Sequence, residues 1–523
     1  MPKAAGGASE RVPALTVLGH AQAARVGDRA TLLGLPAGEP VSLSRVAPNF
    51  SPPTGGAPRP LADPFLSRSP LATLELRDGR LRLRRGREGA IVRVDGEDLA
   101  EERAFEPDDL ERGVVIEVGG RCALLLHHVD AVQGRRPPRF DLVGDSDAVQ
   151  RLRRDIARLA ATDMRVLVRG ETGSGKELVA RAIHAASARA AGPYVAINMG
   201  AIQPSLAASA LFGHVRGAFS GAIADHDGHL AAAHGGTLFL DEIGDTDATV
   251  QAMLLRTLET GEVQRVGDRR ARAVDVRLLS ATDADLEAAV AEGRFREPLL
   301  HRIGELTLRV PPLSARRDDV GRLVVHFLRE VLTADEQARL LDGEIAERPW
   351  LSAATMARLA RAPWTGNVRQ LRNVVRQLAV LGREEPELAL RPDIEESLGE
   401  PATGWSPPGE AISAEGAAPP PPKARGRGKR PQDLTEEELL DALERTGWRR
   451  AAAADRLGIA RSSLYALLAA NKRLTRSRDL TREQVEEALA RRRGDVAAAA
   501  ADLHVSEHGL KLRAQALGLS ARR

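Results

Sequence analysis

Apolar and polar positions alternate in short runs through residues 1–132. The runs are separated by Asp-Gly or Gly-Gly pairs, as in TLELRDGRLRLRR, AIVRVDGEDL and GVVIEVGGRCALLLHHV. Alternation with a period of two residues is typical of β-strands, and glycine pairs favour tight turns. The pattern predicts an all-β sandwich.

Residues 140–396 follow another pattern, in which β-branched apolar runs alternate with helical stretches. The runs are RVLVRG, YVAIN, TLFLDE and VDVRLLSAT. This alternation predicts a parallel sheet covered by helices, an α/β fold. The last block, 433–523, is Ala-rich and predicts short helices separated by turns.

Pro, Ala and Gly dominate residues 397–432, which include AAPPPP and the basic run KARGRGKR. Such a segment has little to bury, so we expect a disordered or extended linker. A shorter connector at 133–139 separates the first two blocks. The predicted multidomain order is therefore 1–132, 140–396, the linker, and helical units at 433–474 and 479–523.

The composition narrows the class of protein. The 523 residues carry a net charge of only +3, so a nucleic-acid surface must come from local clustering of Arg and Lys. Cys122 is the single cysteine, which excludes an intrachain disulfide and fits a reducing compartment. No run of about 18 apolar residues occurs, so no membrane span is expected. We predict a soluble, cytoplasmic protein.

A Gly-rich segment directly follows the run RVLVRG. It comprises Gly170, Glu171, Thr172, Gly173, Ser174, Gly175, Lys176 and Glu177. Glycines let backbone N–H groups point at phosphate oxygens, the following helix adds its dipole, and Lys176 is placed to reach the β- and γ-phosphates. The segment predicts a phosphate-binding loop for ATP. The alternative is a Gly-rich turn that binds no nucleotide.

Two adjacent carboxylates end the apolar run GGTLFLDE. Asp241 and Glu242 are costly to desolvate there unless they bind a cation or activate water. We expect Asp241 to hold Mg²⁺ and Glu242 to polarise the attacking water. A helix N-cap role for Asp241 is the alternative, but it does not explain the adjacent acid.

A second Gly-rich segment lies between these two motifs. Its six residues are Gly217, Ala218, Phe219, Ser220, Gly221 and Ala222. A single Phe among glycines and small residues makes a poor strand or helix. The segment predicts a loop that moves or contacts a partner.

In their order along the chain, these motifs resemble the AAA+ domain of sigma-54-dependent transcription activators, the bacterial enhancer-binding proteins. The resemblance runs from about Phe140 to Gly382 through RGETGSGKELVARAIH, LFGHVRGAFSGA, GGTLFLDEIGD, GRFREPLLHRI, VPPLSARRDDV and WTGNVRQLRNVV. The family's phosphate loop also ends in Glu. The resemblance implies an ATPase with a helical lid at about 315–396, which assembles from dimers to hexamers. Its expected partner is the sigma-54 RNA polymerase holoenzyme, which it would remodel from a closed to an open complex.

The resemblance also assigns roles by position. Asn198 matches a switch residue that hydrogen-bonds Glu242, and Thr282 with Asp283 matches a γ-phosphate sensor. Val143 and Gly144 lie where the family clasps adenine, and Arg369 matches a lid sensor. Arg296 and Arg302 match arginines that enter the ATP site of a neighbouring subunit; ordinary exposed helix arginines are the alternative. The loop 217–222 corresponds to the family's GAFTGA loop, which contacts sigma-54.

The chain departs from the family pattern around this loop. Ser220 replaces a Thr, Ala208 and Ala210 replace acids, and Asp283 replaces an Asn. Leu230 and Ala231 replace an aromatic residue and an acid. These departures concern how loop movement is coupled to ATP rather than whether ATP binds.

The first block resembles a forkhead-associated (FHA) domain. The resemblance rests on Arg45, on DPFLSRSP with Ser67 and Arg68, and on GREGAIVRVDGEDL and GVVIEVGG. It implies phosphothreonine binding by Arg45, Ser67 and Arg68, since guanidinium and hydroxyl groups form charge-assisted hydrogen bonds to a dianion. A structural sandwich without a ligand is the alternative.

The last block resembles the Fis-type helix–turn–helix that ends most enhancer-binding proteins. It implies binding to double-stranded DNA at upstream enhancer sites by Ala460, Arg461, Ser462, Ser463 and Tyr465. The segment 479–523 repeats the first unit at a shift of 46 positions, as in DLTEEELLDAL and DLTREQVEEAL. A tandem DNA reader is the hypothesis, and a dimerisation unit is the alternative.

The leading hypothesis is an ATP-driven transcription activator with DNA-binding, motor and input parts. One alternative is a DNA-bound repressor or scaffold that retains its ATPase without a productive sigma-54 contact. Another is an AAA+ replication or helicase-loading factor, for which neither the Phe219 loop nor the Fis-type ending is expected.

Overall fold

The computed structural model describes residues 11–86, 91–131, 136–399, 456–457, 482–492 and 499. They belong to two compact units, Met1–Gly409 and Glu410–Arg523. Nearly all of the predicted linker and the five predicted DNA-contacting residues lie outside the described residues. Within the described part, no helix is both long enough and apolar enough to cross a membrane.

The first unit begins with antiparallel β-structure, as the alternating pattern predicts. Helix α1 (Pro107–Arg112) precedes β9, and the strands are β1 (Arg11–Gly19), β2 (Arg29–Thr31), β3 (Val41–Leu43), β4 (Ala72–Arg77), β5 (Arg80–Arg85), β6 (Val92–Val94), β7 (Glu97–Asp98), β8 (Glu102–Phe105), β9 (Val114–Val118) and β10 (Cys122–Asp130). One sheet has the order β2-β1-β10-β9-β6-β7 and the other β3-β4-β5-β8. Leu15 and Ile116 of the first sheet belong to one buried core with Leu74 and Leu83 of the second.

The middle of the unit is an α/β domain, as predicted. Its parallel sheet has the order β12-β13-β16-β11-β17, from β11 (Val166–Arg169), β12 (Tyr194–Asn198), β13 (Thr237–Asp241), β16 (Arg277–Thr282) and β17 (Leu306–Arg309). A separate antiparallel pair is formed by β14 (Glu262–Gln264) and β15 (Ala271–Ala273). The helices are α2 (Asp147–Ala160), α3 (Lys176–Ala185), α4 (Pro204–Phe212), α5 (Gly228–Ala232), α6 (Ala248–Thr260), α7 (Leu286–Ala291) and α8 (Glu297–Ile303).

A helical lid completes the first unit. It follows a 3₁₀ segment, Leu313–Asp319, which we call the hinge segment, and contains α9 (Val320–Val331), α10 (Ala334–Leu340), α11 (Ala353–Arg361), α12 (Asn367–Gly382) and α13 (Pro392–Leu398). In the second unit, helix α14 (Arg482–Arg491) buries Val485 and Ala488, and its Arg482 forms an ion pair with Glu486.

The antiparallel β-structure formed by β1 to β10, which we call the β-domain, shares one hydrophobic core with the lid. Leu18 of β1, Val115 of β9 and Leu125 of β10 are buried in the same cluster as Val320 and Met356 of the lid. Side chains of a strand alternate between its two faces. In β9, Val114, Ile116 and Val118 therefore face the sandwich core, and Val115 faces the lid.

Polar contacts reinforce this junction and concentrate on the hinge segment. Arg317 donates to the carbonyls of Arg112 and Gly113, at 2.8 and 3.0 Å. Asp318 accepts from Arg29 of β2 at 2.7 Å. The β-domain is thus packed on the element that leads from the parallel sheet into the lid.

Candidate nucleotide-binding site

The predicted site residues converge at one edge of the parallel sheet. Asn198, Asp241 and Thr282 end β12, β13 and β16, and the phosphate-binding loop follows β11. The pairing places Asn198 opposite Asp241 and Arg169 opposite Thr282. Because these strands are parallel, all four carboxyl ends meet at the same edge.

The phosphate-binding loop opens onto a cavity of about 440 Å³ that Thr172 through Glu177 help to line. Gly173 and Gly175 have positive φ angles of 74° and 107°, which glycine adopts without strain. Lys176 begins α3 and is largely buried; its Nζ donates to the carbonyls of Gly170, at 2.8 Å, and Glu171, at 3.4 Å. The ammonium group is therefore held over the loop.

The acidic pair lines the same cavity. Glu242 has a φ of 52°, a left-handed conformation that is strained for glutamate, and backbone strain of this kind clusters at functional sites. The Nδ2 of Asn198 lies 3.5 Å from Oδ2 of Asp241, and its Oδ1 accepts from the N–H of Ala201 at 3.1 Å. The amide expected beside Glu242 thus contacts the neighbouring aspartate in this structure.

The predicted sensor residues differ in their surroundings. Thr282 is buried, and its Oγ1 accepts from the N–H of Ala284 at 3.0 Å. Asp283 accepts a hydrogen bond from the hydroxyl of Thr172, so it is tied to the phosphate-binding loop. Arg369 of α12 lines the cavity, and its N–H donates to the carbonyl of Gly173 at 3.3 Å.

The two residues that are predicted to contact adenine have different surroundings. Val143 lines the cavity, whereas Gly144 packs on the Asp319 carboxylate, where an added Cβ would lie 2.5 Å from Cγ. Two residues on the lid side, for which the sequence predicts no role, also contact the phosphate-binding loop. Arg316 is buried and donates to the carbonyl of Ser174 at 3.2 Å, and burial lowers the pKa of its guanidinium. Asn367 bonds Glu171 and Thr172.

The two arginines predicted to act between subunits lie outside the cavity lining. Arg302 donates from Nε and one terminal nitrogen to the carbonyl of Leu258, at 3.4 and 3.2 Å. Arg296 stands at the N-cap position of α8 without a side-chain capping bond; its side chain is exposed, and its N–H donates to Oε1 of Gln251 at 2.9 Å.

The loop 217–222 projects from the α/β domain between α4 and α5. Gly217 and Gly221 have φ angles of 81° and 114°. The loop is closed by a bond from the N–H of Gly217 to the carbonyl of Ala222 at 2.9 Å. Phe219 is 37 % exposed and packs edge-on against His214, with ring centroids 5.1 Å apart. The next residue after the loop, Ile223, is 83 % exposed.

The base of the loop is fixed by charge pairs. Arg265, beyond β14, contacts Asp225 at 3.3 Å, Asp227 at 3.5 Å and Asp268 at 3.0 Å. The N–H of Arg216 donates to Asp225 at 2.8 Å and lowers the pKa of that carboxyl. The tip is exposed while its base is anchored.

Comparison with known proteins identifies the family. Residues 142–309 match the model of the sigma-54 interaction domain, 314–400 the AAA+ ATPase lid domain, and 434–469 the bacterial regulatory protein, Fis family. The transcriptional regulatory protein ZraR of Klebsiella oxytoca is 40% identical over 63% of this chain and 69% of its own length. The chain belongs to the sigma-54-dependent transcriptional regulators.

Other proteins are similar to this sigma-54-dependent regulator over part of their length. The anaerobic nitric oxide reductase transcription regulator NorR of Klebsiella pneumoniae (strain 342) is 42% identical over 56% of this chain, which spans 57% of NorR. The crystal structure of NtrX from Brucella abortus in complex with ATP is 34% identical, with a TM-score of 0.43 over 63% of this chain and 69% of that one. The predicted family, with its AAA+ domain, helical lid and Fis-type unit, is confirmed.

The predicted phosphopeptide residues of the regulator lie on neighbouring loops of the β-domain. The N–H of Arg45 donates to the carbonyl of Ser67 at 2.9 Å, and its guanidinium donates to the carbonyl of Pro64 at 3.2 Å. The Ser67 hydroxyl accepts from the N–H of Ser69 at 3.0 Å, and Arg68 is exposed. The predicted β-sandwich is confirmed as antiparallel β-structure, while its FHA character stays a prediction.

Proposed function

We propose that this sigma-54-dependent regulator hydrolyses ATP in an oligomeric ring and uses the energy to convert the sigma-54 RNA polymerase closed complex into the open one. The observation that carries the proposal is the exposed Phe219, on a loop between the phosphate-binding loop and the acidic pair, within the region that matches the sigma-54 interaction domain. The loop 217–222 is the proposed sigma-54 contact, and action on polymerase places the protein in the cytoplasm.

The residues present fit ATP with Mg²⁺. A carboxylate oxygen of Asp241 is the hard ligand that Mg²⁺ prefers, and it lines the cavity together with Lys176. The ion would supply charge neutralisation at the phosphates. Lys176 and the N–H groups of residues 170–177 bind the phosphates, and Glu242 accepts a proton from the attacking water. Thr282 and Arg369 position the γ-phosphate, while Asp283 holds the Thr172 side chain of the phosphate-binding loop. Val143 lines the cavity at the proposed adenine side, and the adjacent Gly144 packs behind it on Asp319.

A structural route joins this site to the loop. A Cβ at Gly200 would lie 2.6 Å from Oε2 of Glu242, so backbone and carboxylate are in contact. The same segment begins with Asn198, which contacts Asp241, and leads through α4 to His214 and Phe219. We infer that a change at the acidic pair when ATP is hydrolysed shifts α4 and, with it, the loop.

Assembly and partners complete the proposal. Arg296 and Arg302 lie outside the lining of the cavity in their own subunit, which fits action on the ATP site of a neighbour in a hexamer. The Fis-type unit binds double-stranded DNA at upstream sites through Ala460, Arg461, Ser462, Ser463 and Tyr465.

We further propose that Arg45, Ser67 and Arg68 bind a phosphothreonine peptide. Two arginines beside a serine provide charge-assisted hydrogen bonds for a phosphate dianion. Titration of the full chain with phosphorylated and unphosphorylated peptide pools tests this. Equal binding of both pools, or unchanged binding by Arg45→Ala, contradicts it.

The decisive experiment is in vitro transcription with sigma-54 holoenzyme and ATP. Lys176→Ala and Glu242→Ala should abolish both hydrolysis and open-complex formation. Phe219→Ala should spare ATP hydrolysis and stop open-complex formation. Substantial ATP turnover by the first two variants would refute the site. Transcription that survives in Phe219→Ala, or a wild-type protein that hydrolyses ATP without opening the promoter, favours the repressor or scaffold alternative.

A further inference from the structure

Asn367 occupies an unusual position for a polar residue. It is fully buried at the first position of α12, and its φ is 52°, in the left-handed region. Asparagine tolerates this conformation better than other non-glycine residues, at a small cost. Burial of an amide is favourable only if its hydrogen bonds are made.

The amide of Asn367 joins three segments that are distant in sequence. Its Oδ1 accepts from the N–H of Leu313, at the start of the hinge segment, at 2.8 Å. Its Nδ2 donates to Oε2 of Glu171 at 2.9 Å and to the carbonyl of Thr172 at 3.1 Å. Both amide hydrogens are therefore used on the phosphate-binding loop, and the oxygen is used on the hinge segment.

These bonds fix the orientation of the side chain. A flipped amide would set its oxygen against a carboxylate and a carbonyl, and its hydrogens against an N–H group. The bond to Glu171 is partly buried, because Asn367 is buried and Glu171 is exposed, and its carboxylate acceptor makes it stronger than a bond between neutral groups.

Asn367 can affect nucleotide binding through Gly173, the loop residue that follows its two partners. Glu171 and Thr172 directly precede Gly173, whose added Cβ would lie 2.4 Å from the carbonyl of Gly366. The lid and the loop are thus in direct contact on both sides of Asn367. A phosphate-binding loop works by presenting its N–H groups in one conformation, and here an anchor for that conformation comes from the lid.

We propose that Asn367 is a positioning residue of the ATPase, which holds the phosphate-binding loop in its nucleotide-binding conformation and ties that conformation to the lid and the hinge segment. The inference rests on the proposed ATP site. Asn367 acts through Glu171 and Thr172 and does not touch the phosphates itself.

The first test removes the side-chain amide of Asn367 without changing the backbone conformation. Asn367→Gly keeps the left-handed conformation and removes the amide. Loss of the two hydrogen bonds to the loop, one of them to a carboxylate, should weaken ATP binding by about 10- to 100-fold. Because the loop binds ground and transition states alike, KM should rise with little change in kcat. Isothermal titration of the full-length protein with ATP, together with steady-state hydrolysis, measures both.

The second test uses a designed rescue. Asn367→Asp keeps the shape but places a carboxylate against Glu171, so ATP binding should fall at least as far. Adding Glu171→Gln restores a donor–acceptor pair, and the double variant should bind ATP about tenfold more tightly than Asn367→Asp alone. A double variant that binds no better overturns the proposal.

Controls keep the outcomes distinct. Asn373→Asp makes the same change at an exposed site on α12 and should bind ATP like the wild type. If Asn367 were only structural, the variants would lose thermal stability while the folded protein kept normal ATP affinity, and this result also overturns the proposal. Lys176→Ala tests the site separately: if that variant still hydrolyses ATP, the proposed function fails whatever Asn367 does.

Discussion

The imidazole of His20 is buried in the β-domain as a neutral group. Its Nδ1 accepts from the N–H of Gln22 at 3.0 Å, and its Nε2 donates to the carbonyl of Leu61 at 3.1 Å. Burial, reinforced by the positive charge of Arg25, lowers the pKa of His20 to about 4. Protonation would cost the bond from Gln22 and leave a buried cation.

This environment predicts a loss of stability in acid. In the unfolded chain His20 gains a proton below its ordinary pKa of about 6.5, whereas the folded protein keeps it neutral to about pH 4. Between these values the unfolded chain binds more protons, so the free energy of unfolding falls as pH falls. At pH 5 the effect is on the order of 2 kcal/mol.

Denaturant unfolding of wild type and His20→Gln at pH 7 and pH 5, followed by tryptophan fluorescence, measures this contribution. The stability advantage of the wild type should shrink at the lower pH, since the variant lacks the titrating group. Parallel pH profiles for the two proteins would contradict the prediction.

The sequence patterns predicted residues that lie close together in the structure, but they did not predict the contacts between these residues. The loop motif itself explains Gly173, because a phosphate must approach the backbone there. The motif does not reveal a second constraint on Gly173, which is that the carbonyl of Gly366, a residue far along the chain, lies close to its Cα. Asn367 was missed for the same reason, since its partners Glu171 and Leu313 are brought together only by folding.

At the scale of elements, helix α9 packs on strand β1 with almost no space between their backbones. A Cβ added at Gly321, in the first turn of α9, would lie 2.3 Å from the carbonyl oxygen of Leu18. Alanine in place of glycine normally favours a helix by up to about 1 kcal/mol. Here the added methyl group would force the helix and the strand apart.

We therefore expect Gly321→Ala to destabilise the protein, by about 1–3 kcal/mol, as in other overpacked cores. Thermal unfolding of the full chain provides the measurement. Gly382→Ala is the matched control at the end of α12, because its added methyl group meets only the flexible end of the Leu388 side chain and should be nearly neutral. A stabilising effect of Gly321→Ala would show that the two elements are not packed this closely.

The strands β9 and β10 explain what could be predicted of this packing. Their runs VVIEV and CALLLHHVD are apolar at successive positions, as in CALLL, rather than only at alternate ones, which in an antiparallel sheet indicates that both faces are covered. A sandwich alone covers one face of each strand. The pattern thus indicates that a second layer covers the outer face of the sheet. It does not show that this layer is the lid, because Met356, which is buried in the same cluster as Ala123, lies more than 200 positions beyond it.

At the scale of the whole molecule, the shared core makes the β-domain and the lid one folding unit. Residues 1–132 and 133–523, produced as two separate chains in the same cells, should therefore associate and purify together. Affinity capture of one fragment, followed by size-exclusion chromatography, tests this. Gly321→Ala in the longer fragment should weaken the association; separate elution of the unmodified fragments would contradict the shared core.

The shared core also limits how this protein can exchange parts with its relatives. Regulators built from freely linked modules can acquire a new input domain by fusion, because the old domain leaves no apolar surface behind. Here such an exchange would leave Val320 and Met356 facing water unless the replacement supplied its own Leu18 and Val115 in the same places. The β-domain and the outer face of the lid are therefore expected to be inherited together, as a matched pair, even when the C-terminal end of the chain is replaced.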